Sequence, residues 1–258
     1  MTATNKEKGN KLKLLKKVNF EKYFQAETWG EYNKAFFDNL ALKYDASNAF
    51  HSFGTKQIID KKVVEKIPLT KNAKVIDICA GSGDISIRIA QKYPDADITG
   101  IDVSENMLKV ARKKSKKFDN ITYLYADALN LPYEDNSFDV AVISFGLRNL
   151  ENLEDGLKEM QRVVKSGGYV VNIDQGKPSN PVFKVLYEVY FYNIAPILGK
   201  LLFHIGEFNS FRYLPESNKF FPDQSELVSI FESLGFKDVK NYNYLLGAIA
   251  QQVTKVEK

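Results

Sequence analysis

Short runs of β-branched residues alternate with segments of helical periodicity through the middle of the chain. Lys74–Cys79 (KVIDIC) is typical of a buried strand, and the glycine-rich turn Gly81-Ser82-Gly83 follows it. Asp84–Tyr93 has the pattern of a helix, and Asp97–Asp102 has the pattern of a second strand. Strands that alternate with helices predict βαβ units and a mostly parallel sheet. The chain is therefore expected to be an α/β protein.

The same alternation continues towards the carboxyl terminus. We predict helices over Ser104–Lys117, Asn152–Val164 and Asp223–Leu234, and strands over Ile121–Tyr125, Phe138–Phe145 and Tyr169–Asp174. Ser104 is the expected N-cap of the first of these helices, with Met107 at its third position. Lys165–Gly168 is predicted as a turn. Lys237–Tyr244 and Leu246–Val253 lie almost end to end and predict a closing antiparallel hairpin.

Two aromatic-rich regions, 18–70 and 178–221, fall outside the alternation. An insertion after the fifth strand lies over the carboxyl ends of the strands, where open α/β sheets bind ligands. We therefore expect both regions to cap a site. The predicted organisation is a basic flexible tail (1–17) and a single domain (18–258), divided into an N-terminal helical cap (18–70), a cofactor-binding core (71–177), a cap insertion (178–221) and a C-terminal helix and hairpin (222–258).

The composition excludes several classes of protein. The chain has 258 residues, of which 44% are apolar, and this is enough to bury a core without disulfide or metal cross-links. Its 36 basic and 32 acidic residues give a net charge of +4, too small to indicate nucleic-acid binding. One cysteine excludes a disulfide framework and a thiolate zinc site, and two histidines exclude a histidine-rich metal cluster, so no metal is expected.

Six lysines crowd the first 17 positions: Lys6, Lys8, Lys11, Lys13, Lys16 and Lys17. This tail is either solvated and flexible or weakly attracted to an anionic membrane surface. No stretch supplies the roughly 18 uncharged apolar residues that span a bilayer. We expect a cytoplasmic protein. Peripheral contact with the inner face of a membrane and assembly as a homodimer both stay open.

Gly81 and Gly83 lie between a strand and a helix, a position that suits a dinucleotide or S-adenosylmethionine. The dinucleotide fingerprint needs a third glycine where this chain has Ser86. A carboxylate at Asp84 would repel a pyrophosphate at the helix N-terminus, but it suits the ammonium group of an amino acid. Asp77 is a second candidate partner for that ammonium. S-adenosylmethionine is therefore the expected cofactor.

Two further carboxylates follow predicted strands. Asp102 lies about 20 residues after the glycines, where a carboxylate accepts hydrogen bonds from ribose hydroxyls; a helix-capping or turn aspartate is the alternative. Asp127, followed by Ala128, can accept from the adenine amino group, with Val103 and Met107 beside the ring. An aspartate in a loop without a ligand is the alternative for Asp127.

Val75–Asp84 (VIDICAGSGD) and Gly100–Leu108 (GIDVSENML) resemble the class I methyltransferases that use S-adenosylmethionine. Three more motifs narrow this resemblance: Ser144–Asn149 (SFGLRN); Arg212–Ser217 (RYLPES) with Phe221-Pro222; and Tyr44-Asp45 with Asn48 and Ser52-Phe53-Gly54. Together, over about residues 36 to 252, the chain is similar to the family that C-methylates the quinol ring of demethylmenaquinone and of polyprenyl benzoquinols, in menaquinone and ubiquinone biosynthesis.

The resemblance implies a Rossmann-like class I fold, with a mostly parallel sheet, a C-terminal antiparallel hairpin and a helical cap. It implies cofactor contacts at Ser82, Asp102, Asp127, Ala128 and Ser144. The implied reaction is S-adenosylmethionine-dependent C-methylation of a prenylated quinol, foremost demethylmenaquinol to menaquinol. The alternatives are a methyltransferase for another hydrophobic acceptor and a non-catalytic module that binds S-adenosylmethionine.

The chain departs from the family at positions expected to face the acceptor. Lys56 and Ile59 stand where the family has a histidine and a tryptophan. Ser166, Asp174 and Gly176 stand where it has a proline and then Glu-x-Ser. These departures are the reason to keep another hydrophobic acceptor as the alternative.

Arg148 is the leading catalytic candidate, because a guanidinium stays protonated and can stabilise a ring oxygen that gains negative charge. A salt bridge to a carboxylate of the cap is its structural alternative. Tyr44 can cover the sulfonium with an aromatic face. His51 has the pKa of a general base, but a histidine beside Phe50 and Phe53 is more often structural. The aromatic residues of the cap insertion suit either a prenyl-binding groove or packing against the core.

Overall fold

The computed structural model describes residues 28–45, 56–197 and 210–258. Seven strands form one sheet in the order β3-β2-β1-β4-β5-β7-β6. In chain order the strands are β1 (Lys74–Ile78), β2 (Asp97–Asp102), β3 (Ile121–Tyr125), β4 (Phe138–Ser144), β5 (Val164–Gln175), β6 (Lys237–Tyr244) and β7 (Ile249–Lys255). Strands β1 to β5 pair in parallel, and β7 pairs antiparallel with both β5 and β6.

Helices flank this sheet, and some of them cover the edge at which the parallel strands end. They are α1 (Trp29–Leu40), α2 (Lys56–Glu65), α3 (Asp84–Lys92), α4 (Glu105–Ser115), α5 (Leu153–Val163), α6 (Pro181–Val189), α7 (Ser210–Phe220) and α8 (Gln224–Ser233). A π-helical turn, Tyr190–Ile194, follows α6, and a 3-10 turn, Leu147–Asn149, follows β4. The expected mostly parallel sheet with a closing antiparallel hairpin and surrounding helices is confirmed.

The two faces of the sheet belong to different hydrophobic cores because neighbouring strand residues point to opposite sides. On β1, Ile76 joins a core with Leu157 of α5 and Phe231 of α8. Its neighbour Val75 joins a core with Val63 of α2. Both faces are therefore covered, as the buried parallel strands require.

The chain leaves β1 towards β2 and β3, and then returns past β1 to form β4. The order of the strands therefore reverses between β1 and β4. At such a switch point the connections leave the carboxyl ends of the strands in opposite directions and open a crevice. The fold fixes the site at this crevice before any side chain is considered.

N-cap residues in the sequence predict correctly where several helices begin. Ser104 is the N-cap of α4, and its hydroxyl accepts a hydrogen bond of 3.1 Å from the backbone N–H of Met107, as predicted. Asn152 and Asp223 cap α5 and α8 in the same way.

Two predicted boundaries were wrong. Lys165–Gly168 is not a separate turn: α5 runs directly into β5, and the register with β4 shifts between Phe138 and Val140. The segment stays in the sheet because the N–H of Gly167 donates to the carbonyl of Val256 over 2.7 Å. The last strand begins at Ile249 rather than Leu246, because Leu245 and Leu246 adopt left-handed φ values of 48° and 54°.

The predicted division of the chain into a tail, caps and a core stays a prediction, since the tail and part of each cap lie outside the described residues. Within the described residues, no helix combines the length and the apolar character needed to cross a bilayer.

Candidate active site

A cavity of about 570 Å³ lies at the carboxyl ends of β1 to β4. Its walls include residues that follow each of these strands: Cys79, Gly81, Asp102, Val103, Tyr125, Ala126, Asp127, Ala128, Ser144, Phe145 and Gly146. Thr28–Asp45, which we call the strap, contributes further lining residues from α1 and Tyr44. The cavity therefore occupies the crevice that the sheet topology predicts.

The turn after β1 needs its glycines. Gly81 and Gly83 have left-handed φ values of 55° and 80°, which residues with a Cβ rarely adopt. A Cβ at Gly83 would stand 2.3 Å from the hydroxyl oxygen of Tyr123. Tyr123 thus packs tightly against the turn. The N–H of Gly81 donates to a carboxylate oxygen of Asp102 over 2.9 Å.

Asp102 ends β2 in the wall of the cavity. Its carboxylate accepts hydrogen bonds from the N–H groups of Gly81 and Ser104, and the second bond is 2.8 Å long. Burial raises the pKa of Asp102 to about 6, although these N–H groups oppose the rise. Two oxygens fixed by backbone donors beside a cavity form a suitable acceptor for a pair of hydroxyls.

Most of the predicted cofactor residues come together around the cavity: Gly81, Asp102, Val103, Met107, Asp127, Ala128 and Ser144 all line it. Tyr44, predicted to cover the sulfonium, also lines it, with its ring 4.0 Å from the Cβ position of Gly81. Asp127 is held by the N–H of Leu129, which donates to its carboxylate over 2.9 Å. Their individual contacts with a ligand stay predictions.

The other predicted cofactor residues support the glycine turn instead of lining the cavity. The carboxylate of Asp77 is buried and accepts from the N–H and the hydroxyl of Ser86, over 3.1 and 2.6 Å. Burial raises the pKa of Asp77 to about 7. The hydroxyl of Ser82 is also buried, and it donates to Asp45 of the strap over 2.8 Å.

Asp84 lies between two lysines at the start of α3. Its carboxylate is 2.8 Å from the ammonium group of Lys56 and 2.5 Å from that of Lys114. Burial opposes ionisation of Asp84, but the two lysines outweigh burial and lower its pKa. Lys114 also bonds Asp45 over 2.8 Å, so these charges join α2, the glycine turn and the strap. Lys56, one of the departures from the family, has a structural partner here.

The strap supplies polar residues that the sequence did not reveal. The ammonium group of Lys34 donates to the Tyr125 hydroxyl over 2.9 Å, and both residues line the cavity. Asp38 accepts from the Ser104 hydroxyl over 2.5 Å. These contacts join residues 66 to 91 positions apart in the chain, and no local motif announces them.

Arg148 lies in the 3-10 turn after β4, beside the cavity rather than in its wall. Its side chain is 4% exposed and forms an ion pair with Asp174, which is 1% exposed. The alternative of a salt bridge is therefore present, but the partner lies near the end of β5 and not in the cap. The Nε of Arg148 is buried and has no hydrogen-bond partner within the described residues. Its catalytic role stays a prediction.

Tyr213 of α7 connects several parts of the site. The sequence indicated this residue only as part of the motif Arg212–Ser217. Its hydroxyl lies 2.5 Å from the side-chain oxygens of both Asn33 and Asn149. Both asparagines line the cavity. Tyr213 therefore connects the cap, the strap and the turn that carries Arg148.

The aromatic residues of the cap insertion mainly pack against each other. Phe183, Tyr187 and Phe191 stand in a row, with ring centroids 6.2 and 5.0 Å apart. Leu186 and Ile194, in contrast, are exposed. The remaining predicted positions, His51, Asn48, Ser52-Phe53-Gly54 and the lysine-rich tail, lie outside the described residues.

The fold and the cofactor site define an S-adenosylmethionine-dependent methyltransferase. The model of the ubiE/COQ5 methyltransferase family matches residues 26–255. The chain belongs to this family, as its motifs had indicated.

Curated relatives and solved structures agree with this assignment. The demethylmenaquinone methyltransferases of Staphylococcus aureus strains JH9 and Newman are 39% identical over 223 residues, which is 86% of this chain and 92% of each relative. An S-adenosylmethionine-dependent methyltransferase from Thermotoga maritima has a TM-score of 0.62 at 20% identity, covering 87% of this chain and 99% of its own. One from Aquifex aeolicus has a TM-score of 0.56 at 20% identity, covering 76% and 89%. These two likenesses show the fold.

The residues around the cavity fit the cofactor. Glycine at the tightly packed turn leaves the backbone accessible, and Asp102 and Asp127 offer carboxylate oxygens at successive strand ends. Tyr44 adds an aromatic wall, which attracts a positive charge. When bound, S-adenosylmethionine supplies an electrophilic methyl group on a sulfonium.

Proposed function

We propose that this enzyme methylates a ring carbon of a prenylated quinol, foremost demethylmenaquinol to menaquinol. The Staphylococcus aureus relatives named for demethylmenaquinone support this substrate class. The observation that carries the proposal is the buried Nε of Arg148, which has no partner within the described residues. A buried guanidinium N–H without an acceptor is costly, and the oxygen of a bound ring would satisfy it.

The reaction is an in-line displacement. A bond forms between the ring carbon and the methyl carbon while the sulfur–methyl bond breaks, and its electron pair returns to sulfur. The substituted carbon then gives its proton to water, and the ring regains its aromaticity. The ring carbon is nucleophilic only when the neighbouring hydroxyl shares or loses its proton.

Arg148 is suited to stabilise this negative charge. A guanidinium stays protonated, so it acts as a fixed hydrogen-bond donor and not as a base. Asp174 holds one side of the guanidinium, which leaves Nε for the ring oxygen. The cap also reaches the turn that carries Arg148, because the hydroxyl of Tyr213 lies 2.5 Å from the side-chain oxygen of Asn149.

The experiment is transfer of an isotope-labelled methyl group to chemically reduced demethylmenaquinone in detergent, with product masses measured. A benzoquinol with the same prenyl chain is run alongside. A naphthoquinol product supports the proposal, and a product from the benzoquinol alone moves the assignment to that ring. Tight cofactor binding with no product on either ring overturns the proposal and leaves another acceptor, or none.

A further inference from the structure

The polar cluster around the Tyr213 hydroxyl holds fewer hydrogens than its geometry requires. The hydroxyl oxygen lies 2.5 Å from the side-chain oxygen of Asn33 and 2.5 Å from that of Asn149. An amide oxygen only accepts hydrogen bonds, and a hydroxyl carries a single hydrogen. Burial raises the pKa of Tyr213, so the hydroxyl keeps that hydrogen. It cannot give a full hydrogen bond to both asparagine oxygens at once.

Neither asparagine can turn its amide over to offer an N–H instead. The Nδ2 of Asn33 donates to the backbone carbonyls of Trp29 and Asn149, each over 2.9 Å. The Nδ2 of Asn149 donates to the backbone carbonyl of Phe145 over 3.0 Å. A reversed amide would place its own oxygen against these carbonyl oxygens, which is unfavourable. Among the described residues, Tyr213 is the only donor that reaches either side-chain oxygen.

The two oxygens that share this one hydrogen belong to the wall of the active-site cavity. Asn33 and Asn149 both line it, and so does Phe145. The guanidinium of Arg148 lies over the ring of Phe145, 5.6 Å from the ring centroid. Asn149 follows Arg148 directly in the same 3-10 turn. A molecule bound at Arg148 is therefore also a neighbour of Asn149.

We infer that the side-chain oxygens of Asn33 and Asn149, the asparagine pair, accept the hydroxyl hydrogen of the quinol and thereby select the reduced ring over the quinone. The inference rests on the proposed function, in which the other ring oxygen lies at Arg148. A quinol supplies the hydrogen that the cluster lacks. A quinone has only carbonyl oxygens, so it would bring one more hydrogen-bond acceptor to a place that is already short of a donor.

Arg148 alone cannot make this distinction. A guanidinium is a donor, so it can bind the oxygen of a quinol or the oxygen of a quinone. The asparagine pair only accepts, so the two ends of the ring meet opposite requirements. This arrangement suits a quinol that gains negative charge on one oxygen and keeps its hydrogen on the other. Selection of the reduced ring at the binding step would also prevent the oxidised substrate and the oxidised product from blocking the site.

The test is a binding titration with a short-chain demethylmenaquinone in detergent, in its oxidised form and after reduction with borohydride under nitrogen. The enzyme is saturated with S-adenosylhomocysteine, which has no methyl group to transfer, so binding is measured without turnover. Trp29, the single tryptophan of the chain, reports binding through its fluorescence. We expect the wild type to bind the quinol about 10–100-fold more tightly than the quinone. Equal affinities for the two forms overturn the inference.

Asn149→Ala removes one oxygen of the asparagine pair, and Tyr213→Phe is its matched control. Both variants disturb the same buried cluster, but Tyr213→Phe keeps both asparagine oxygens. We expect the ratio of quinol to quinone affinity to fall about tenfold in Asn149→Ala and to stay at least as high as in the wild type in Tyr213→Phe. A role in packing alone would weaken both ligands alike and leave the ratio unchanged, which contradicts the inference.

Two further results decide against the asparagine pair. One is an equal fall of the ratio in Asn149→Ala and Tyr213→Phe. The other is weaker binding of S-adenosylhomocysteine by Asn149→Ala with an unchanged ratio, because the ammonium group of the cofactor would then be the missing donor. The comparison of quinol with quinone on the wild type needs no variant, so it decides even where Asn149→Ala does not fold.

Methyl transfer distinguishes this inference from the proposed function. Methylation of demethylmenaquinol by an enzyme that binds quinol and quinone equally well rules out selection by the asparagine pair and leaves the proposed function standing. Tight and selective binding of the quinol, with no methyl transfer to it from S-adenosylmethionine, does the reverse.

Discussion

The hydroxyl oxygen of Tyr213 lies 2.5 Å from the side-chain oxygen of Asn149, inside the protein. Asn149 also accepts, through its carbonyl, a hydrogen bond of 2.9 Å from the side chain of Asn33. The cap helix α7, the turn after β4 and the strap therefore meet at one buried hydroxyl. A small change here should reach the cofactor cavity without touching its wall.

Tyr213→Phe is expected to lower the free energy of unfolding by about 1–3 kcal/mol, because it removes the hydroxyl that lies against the side-chain oxygens of the buried Asn33 and the half-buried Asn149. Both asparagines line the cavity, so KM for S-adenosylmethionine should rise more than kcat falls. Denaturant unfolding and steady-state kinetics check this. Tyr169→Phe, on β5, is the control, and equal effects of the two variants would contradict the role given to Tyr213.

Arg148→Lys keeps the charge but loses the planar donor. We expect methyl transfer to fall about 10²–10³-fold, as for the loss of a donor to a developing oxyanion. Affinity for S-adenosylmethionine, measured by calorimetry, should stay within about twofold, because Arg148 lies outside the cavity wall. Full activity of this variant would remove Arg148 from the chemistry.

Asp174→Asn is expected to destabilise the protein by about 3–5 kcal/mol, because it leaves the guanidinium of Arg148 buried without its counter-ion. Denaturant unfolding measures the loss. Adding Arg148→Met to this variant should restore part of the stability and none of the activity. A double variant less stable than Asp174→Asn would show that the ion pair is not the cause.

Gly83→Ala should lower stability and weaken cofactor binding, because its Cβ would meet the Tyr123 hydroxyl at 2.3 Å. Gly167→Ala is a matched control: Gly167 has a similar φ of 85° and nothing within 4 Å of its Cβ position. The difference between the two melting temperatures therefore isolates the clash from the backbone strain. Cofactor affinity should change only in Gly83→Ala, and adding Tyr123→Phe should recover part of it.

The raised pKa of Asp102 predicts opposite effects of pH on two measurements. Burial raises its pKa to about 6 in the folded protein, whereas the usual value is about 3.9. The folded state therefore binds the Asp102 proton more tightly than the unfolded state does. The contribution of Asp102 to the free energy of unfolding falls as pH rises from about 4 to about 6. Cofactor affinity should rise over the same range, because the ionised carboxylate is the better acceptor for hydroxyls. Asp102→Asn should flatten the affinity profile and reduce the pH dependence of stability, of which the part due to the raised pKa of Asp77 stays. Unfolding and calorimetry at each pH can measure both.

Most of the sheet could be predicted because its signals are local. The β-branched runs, the glycine turn and the N-cap at Ser104 each depend on residues that lie close together in the sequence. Parallel strand ends meet at one edge, so Asp102 and Asp127 could be expected together, and the resemblance to the family implied Ser144. The contacts of the strap could not be predicted, since Lys34 and Asp38 have distant partners and no motif.

The partner of Arg148 could not be predicted for a related reason. The alternative to a catalytic role was a salt bridge to a carboxylate of the cap, but β4 and β5 are neighbours, with Ser144 opposite Ile173. The chain just beyond Ser144 therefore stands beside Asp174. The register of β4 against β5 brings Arg148 beside Asp174, and this register depends on the pairing of the whole sheet. The sequence of Lys165–Gly168 predicts a turn wrongly, because glycines that allow a turn also allow an irregular strand.

The two halves of the strap are attached by different forces. Its first half buries Trp29, Tyr32 and Phe36 against Tyr213. Its second half is held by Asp38 on Ser104 and by Asp45 on Lys114, contacts that salt and water can replace. The strap is thus held by apolar burial near Trp29 and by polar and charged contacts near Asp45. High salt should therefore loosen the half beside Gly81 before it loosens the half that carries Asn33.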